Sequence, residues 1–302
     1  CTVNKNITLY AVQKKAVQLT FHRCDGSTWQ KTTLAKGSSY SLPGVRDAEG
    51  YTFMGWSTKP MQSVSPQYEA EEKITVNGNV DLYAVVFNRT TETDLTEDQL
   101  PQVDIYKYKQ VIFVGDSRTE FMENVLTGMG ESATKNVKFV CSAGKGLDWF
   151  TTTGWAQLYS IVQHDSNSIL SKKTAVIFNF GVNDLSKSAD YAEYYNWIAP
   201  QLKSKGCELY FMSVNPVNRL MLPNAGRADR SEAAVRSFNQ YMKANLSSAY
   251  TYIDMYSYLK STGYSFASDH YGTGTVDDGL HYTTRTYKRI FAKCMDSLRV
   301  PA

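Results

Sequence analysis

From residue 109 onward the apolar positions fall into short, dense runs at 111–114, 137–141, 175–180, 209–214 and 250–253. Runs of that length, apolar on successive residues, predict strands buried on both faces. Between them lie longer stretches with helical spacing, notably 191–205, 231–246 and 284–298. Strands that alternate with helices predict a parallel sheet covered by helices on each side. The first part of the chain has a different texture. Residues 16–21 (AVQLTF) alternate as a half-buried strand does, "CDG" at 24–26 supplies a turn, and "GYTFMGW" at 50–56 and "LYA" at 82–84 add further strand signals. The reading is a small β-rich domain over 15–88 and an α/β domain over 109–302. A polar, threonine- and acid-rich linker at 89–108 with one proline, and at most a turn of helix, joins them.

The opening residues echo a later stretch. "TVNKNITLYAV" at 2–12 is matched at most positions by "TVNGNVDLYAV" at 75–85, an offset of 73 residues. Self-similarity at a fixed period marks a repeat. Residues 1–14 therefore read as the tail of one unit and 15–88 as a complete unit, and further sequence is expected before residue 1. The order of a strand, "GYTFMGW" and then "NVDLYAV" resembles the small repeats of bacterial surface proteins, the internalin-B-repeat type. That resemblance implies a β-grasp-like fold and association with a cell wall or surface through the repeats. In so small a domain Phe53, Trp56 and Tyr83 are expected to fill the core.

Composition narrows the classes. The chain has 302 residues, 42% hydrophobic and 20% charged, the profile of a globular protein. A net charge of +3 is too small to argue for nucleic acid or an anionic membrane as partner. No apolar run approaches the ~18–20 residues of a membrane span, so no membrane insertion is expected. The 21 tyrosines suit a surface on which sugars stack, and equally a set of strand fillers. Five cysteines (Cys1, Cys24, Cys141, Cys207 and Cys294) show no ligand spacing for a metal and no disulfide framework. Cys141 and Cys207, inside or beside apolar runs, are expected to act as small buried hydrophobes.

Candidate chemistry begins where the first strand of the second domain breaks, in "VIFVGDSRTEF" at 111–121. Ser117 follows the carboxyl end of that strand, the edge where ligands bind in parallel α/β sheets. A plain helix cap is the alternative role. A serine nucleophile needs a base, and the base needs a group to orient it. The histidines are His22, His164, His270 and His281. His281 stands in "DDGLHY", with Asp278 three residues before it in a glycine-containing turn; His270, beside Asp269, is the fallback. An oxyanion requires N–H donors. They are available at Ser117 itself, at Asn183 in "GVND" after the third strand, and at a glycine of "SAGKG" (142–146) after the second. Asp116 reads as a helix-start acid and Asn215 as an Asx-turn residue that could line the cleft. Trp149, Trp155 and Tyr282 are candidates for a pocket wall or for the core.

Four blocks in this order, "GDS", a glycine after strand two, "GVND" and "DGLH", resemble the SGNH or GDSL hydrolase family over residues 109–299. The resemblance implies a flavodoxin-like three-layer α/β/α domain and a serine esterase that works without metal or organic cofactor. Ser117 would be the nucleophile, His281 the general base, and Asp278 its orienting partner. Ser117, Gly146 and Asn183 would form the oxyanion hole. Gly146 is preferred to Gly144 because a leucine and an aromatic residue follow it closely. Two departures stand out: Arg118 replaces the leucine of the GDSL name and is free to face an acidic group of a substrate, and the second block lacks the asparagine that often precedes its glycine. An α/β-hydrolase elbow, GxSxG, is not met by "GDSRT". The expected substrate is a glycan ester, acetyl first, on an extracellular polysaccharide, with the protein secreted or at a bacterial cell surface. An O-acyltransferase and an inactive glycan-binding adhesin are the alternatives.

Overall fold

The computed structural model describes residues 15–165, 172–267 and 276–299. The repeat forms strands β1 (Ala16–His22), β2 (Thr28–Ala35), β3 (Ser38–Ser41), β4 (Tyr51–Ser57), β5 (Lys73–Val76) and β6 (Val80–Asn88). Its main sheet runs β2-β1-β6-β4, with β1 and β6 parallel and the outer pairs antiparallel. A register shift between Phe53 and Gly55 lets Phe53 and Trp56 point to one face. There they pack with Leu19, Phe21 and Leu82 in a core of their own. Tyr83 is not part of that core and stacks on His22 instead, ring centroids 4.5 Å apart. Met54, Val85 and Phe87 face the other way and join the core of the second domain. The ring of Phe87 lies against the backbone of Gly263, where a Cβ atom would meet it at 2.2 Å.

Residues 89–108 carry two 3-10 turns, Arg89–Thr91 and Glu97–Gln99. This connection is packed rather than loose. Glu92 is buried and accepts hydrogen bonds from Ser265, Thr286 and Arg289.

The second domain contains β7 (Tyr108–Gly115), α1 (Ser117–Met129), α2 (Glu131–Thr134), β8 (Val137–Cys141), α3 (Leu147–Trp149), α4 (Trp155–Asp165), β9 (Lys173–Asn179), α5 (Ser188–Lys203), β10 (Cys207–Met212), α6 (Glu232–Asn245), β11 (Tyr250–Ile253), α7 (Met255–Thr262), β12 (Phe266–Ala267), β13 (His281–Tyr282) and α8 (Thr284–Ser297). The central sheet is parallel in the order β11-β10-β9-β7-β8. Successive side chains of a strand face opposite sides. Val111 and Phe113 of β7 accordingly pack with residues of α1, α7 and α8, while Ile112 and Val114 pack with α4, α5 and α6. The result is three layers in the flavodoxin strand order. Its carboxyl edge carries the ends of β7, β8 and β9, and so gathers the three sequence blocks that follow them.

Cys207 and Cys294 are buried, Cys141 is partly buried, and no disulfide joins the described cysteines. Among the described residues no helix is long and apolar enough to cross a membrane.

Candidate active site

The strand-to-helix junction at 115–117 is set by sterics and by a cap. Gly115 has no room for a side chain, because a Cβ there would lie 2.0 Å from Thr119 Oγ1 and 2.7 Å from the carbonyl oxygen of Asn179. Asp116 is the cap, its side chain accepting from the Arg118 N–H at 3.0 Å. Burial pushes its carboxyl up to about 6. With Asp116 in that role, Ser117 is the first residue of α1, held at the helix N-terminus, where backbone N–H groups have no intrahelical acceptor.

Opposite it stands β13, paired antiparallel with β12. His281 Nε2 lies 2.9 Å from Ser117 Oγ, and His281 Nδ1 lies 2.7 Å from Asp278 Oδ2. Asp278 is fully buried, and its Oδ1 accepts the N–H groups of Leu280 (2.9 Å) and His281 (2.8 Å). The carboxylate thus caps its own turn and faces the ring at once. Arg227 Nε donates to Asp278 Oδ2 at 3.1 Å. Phe121 stacks on the imidazole, ring centroids 4.3 Å apart. Burial holds the His281 imidazole below its ordinary value in spite of the neighbouring carboxylate. The Asp278 carboxyl also sits below its usual range: bonds from the His281 ring and from backbone N–H groups outweigh its burial. At neutral pH this is a neutral imidazole between a carboxylate and a hydroxyl, the arrangement that can take a proton from serine.

A cleft of about 360 Å³ opens over the serine, with Phe121, Ala143, Gly144, Asn183, Arg227 and His281 on its walls. Asn183 is oriented by its neighbours. Its Oδ1 accepts from Arg230 Nη2 at 2.7 Å, and its Nδ2 donates to the Lys145 carbonyl at 2.8 Å. A primary amide has two N–H donors, so one is left for the cleft.

The family model for GDSL-like lipase/acylhydrolase matches residues 111–294. The chain belongs to the GDSL-like lipase/acylhydrolase family. The model for the Listeria-Bacteroides repeat domain matches residues 18–85, so the GDSL-like domain follows a bacterial surface repeat. A search of curated proteins finds no significant match. Similar solved structures include a protein described as an SGNH hydrolase from Slackia heliotrinireducens. It is 14% identical with a TM-score of 0.45, the match covering 64% of this chain and 100% of that one. An acetyl xylan esterase is 12% identical with a TM-score of 0.41, covering 63% and 100%. The catalytic domain of Streptococcus pneumoniae peptidoglycan O-acetyltransferase A is 15% identical with a TM-score of 0.38, covering 63% and 92%.

Within this GDSL-like domain the structure brings Ser117, Asp278, His281 and Asn183 to one site, and it corrects three expectations. Gly146 is not on the cleft: it is backed against the Asp184 carboxylate, which accepts the Leu147 N–H at 2.9 Å. Gly144, with φ of +71°, lines the cleft in its place. Arg118 does not face a substrate. It is 2% exposed and donates to the carbonyls of Leu280, Asn215 and Pro216 at 2.9–3.0 Å, with its guanidinium over the Tyr282 ring. The side chain beside the nucleophile therefore ties the histidine loop to the segment after β10. Asn215 is buried and takes no part in the cleft wall. Tyr282 is fully buried, and Trp149 and Trp155 pack against the second-domain core. The fallback His270 with Asp269 and the His164 side chain lie outside the described residues, as does the 2–12 echo.

Sequence reasoning missed Arg227, Arg230 and the work of Asp184. The two arginines stand in "NAGRADR", a polar loop with no motif to mark it. Asp184 had a signal, since it completes "GVND". Its Oδ1 accepts the Tyr191 hydroxyl at 2.7 Å while Oδ2 holds the Leu147 N–H, tying the third block to the second.

Proposed function

We propose that the protein is a serine esterase that removes acyl groups, acetyl first, from an extracellular bacterial polysaccharide. The observation that carries this reading is the continuous chain of Ser117 Oγ, His281 and Asp278, with contacts of 2.9 and 2.7 Å. Ser117 passes its proton to His281 Nε2 and attacks the ester carbonyl, forming a tetrahedral intermediate. The oxyanion is received by the N–H groups of Ser117 and Gly144 and by the free N–H of Asn183. Collapse expels the alcohol, which takes the proton from His281. Water then enters, gives its proton to the same nitrogen, and releases the acid.

A short acyl group is favoured by the lining. Ala143, Gly144, Gly226 and Ala228 are small, and Phe121 and Leu280 are the larger apolar side chains on the cleft. A fatty chain would want a long apolar channel. The polysaccharide substrate and the surface location rest on the company of a surface-type repeat. Acyl transfer to a sugar hydroxyl would use the same residues, with the acceptor replacing water.

The test is hydrolysis of p-nitrophenyl acetate by the wild type and Ser117→Ala, beside mass spectrometry of acids released from acetylated glycans. Loss of at least ~10³-fold in kcat is expected for the variant. Equal rates would remove the reading. Acetyl appearing on an added glycan acceptor rather than as free acetate would favour the transferase.

A further inference from the structure

The segment that carries Asp278 is linked to the repeat by three separate routes, each through one intervening side chain. In the first, Arg89, which opens the 3-10 turn directly after β6, donates through Nη2 to Asp47 Oδ2 at 2.8 Å and to the Asp277 carboxylate, while its Nε donates to Thr52 Oγ1 at 2.8 Å. In the second, Asn218 reaches both ways. Its Nδ2 donates to Asp47 Oδ1 at 2.7 Å, and its backbone N–H donates to the Gly279 carbonyl at 2.8 Å. In the third, Arg46 donates to Asn224 Oδ1 at 2.7 Å, and Asn224 Nδ2 donates to the Asp277 carbonyl at 3.0 Å. Residues 277 and 279 are therefore held from the repeat on both sides of Asp278.

We infer that the repeat is a working part of the active site, with Arg89 a positioning residue that keeps the Asp277–Gly279 turn where Asp278 meets His281. The inference rests on the esterase reading for its role but not for its geometry. Arg89 touches neither substrate nor the reacting atoms; it acts through Asp277. The guanidinium is pre-set by Thr52 and Asp47 on the repeat, so it offers the turn a fixed anchor. Burial, and then the Asp277 charge, push the Asp47 carboxyl well above its usual range, and Arg89 is the cation that both carboxyl groups share. Asp277 also binds the Gly279 N–H through Oδ1 at 2.9 Å, and so passes the anchoring straight into the turn.

The test uses the full chain with Arg89→Gln, Arg89→Lys and Asp277→Asn, assayed on p-nitrophenyl acetate across pH. A misplacement of about 1 Å at a catalytic group costs on the order of 10²-fold. Arg89→Gln is expected to lower kcat ~10–100-fold with KM little changed. The groups facing the His281 ring are Asp278, which raises its proton affinity, and Arg118 and Arg227, which lower it. Loosening Asp278 should therefore move the acid limb of kcat to lower pH. Arg89→Lys should restore part of the rate. A folded Arg89→Gln with wild-type kcat and an unmoved limb would overturn the inference. Should that variant not fold, Asp277→Asn, which keeps an acceptor for the Gly279 N–H, is read in the same way: a slower enzyme with a shifted limb supports the coupling, and an unchanged one overturns it. If the wild type lacks Ser117-dependent hydrolysis, the esterase reading fails by itself. The His281 ring titration, followed by NMR in the wild type and Arg89→Gln, then decides the coupling alone.

Discussion

Replacing Asp278 with asparagine tests the site at its most constrained atom pair. The carboxylate accepts four hydrogen bonds: Leu280 N–H and His281 N–H on Oδ1, and His281 Nδ1 and Arg227 Nε on Oδ2. An amide has one oxygen to offer. If that oxygen keeps the two backbone donors, the NH2 group faces the ring and the Arg227 Nε–H, donor against donor. The imidazole escapes by moving its proton to Nε2, leaving Nδ1 as acceptor, and Nε2 can then no longer take the proton of Ser117. If the amide turns the other way, two buried backbone N–H groups lose their acceptor at roughly 1–3 kcal/mol each, and the turn that carries the histidine loosens. The tautomer is wrong in the first case and the geometry in the second. A buried acid to amide change of this kind is expected to lower kcat by about 10⁴, or roughly 5 kcal/mol. The assay is steady-state hydrolysis of p-nitrophenyl acetate at pH 7–8, with thermal melting to show that the variant is folded. A folded Asp278→Asn enzyme within tenfold of the wild-type kcat would refute the assignment of Asp278 as the group that orients His281.

Other outcomes follow from the same geometry. Since burial lowers the His281 proton affinity and the base works only when neutral, kcat/KM should hold as pH falls through ~6.5 and decline below it; a limb centred at or above that pH in a pH–rate profile would contradict this. Asn183→Ala removes one oxyanion donor and should lower kcat ~10²–10³-fold with a much smaller change in KM, measured on the same ester. Arg118→Met leaves three buried carbonyls without their donor and should cost roughly 2–4 kcal/mol in urea unfolding; unchanged stability would show that the strut is not needed.

Much of the site is readable along the chain because chemistry and topology agree locally. A parallel strand must end at the ligand-binding edge, so a serine directly after β7 and an asparagine just beyond β9 had to share that edge. Asp278 and His281 are three residues apart, and their contact is local. What stays hidden depends on pairs far apart in sequence. Arg118 looks like a surface group beside a nucleophile, yet its acceptors lie about a hundred residues or more away. The choice between Gly144 and Gly146 turns on the Asp184 carboxylate, which no local pattern ties to either glycine. Residues 89–108 look polar and loose, but Glu92 is satisfied by α8 and by Ser265, and nothing near it in the sequence shows this.

Phe87, seated on Gly263 beside Met54 and Val85, has a consequence for handling the molecule. A chain cut between residues 88 and 109, where the family boundary invites it, would bare an apolar scar on each half. The catalytic half would offer an empty slot shaped for a phenyl ring. The repeat would carry that ring into water. Heat should therefore melt the intact chain in one calorimetric transition, and the severed catalytic half should clump well before it loses its own strands.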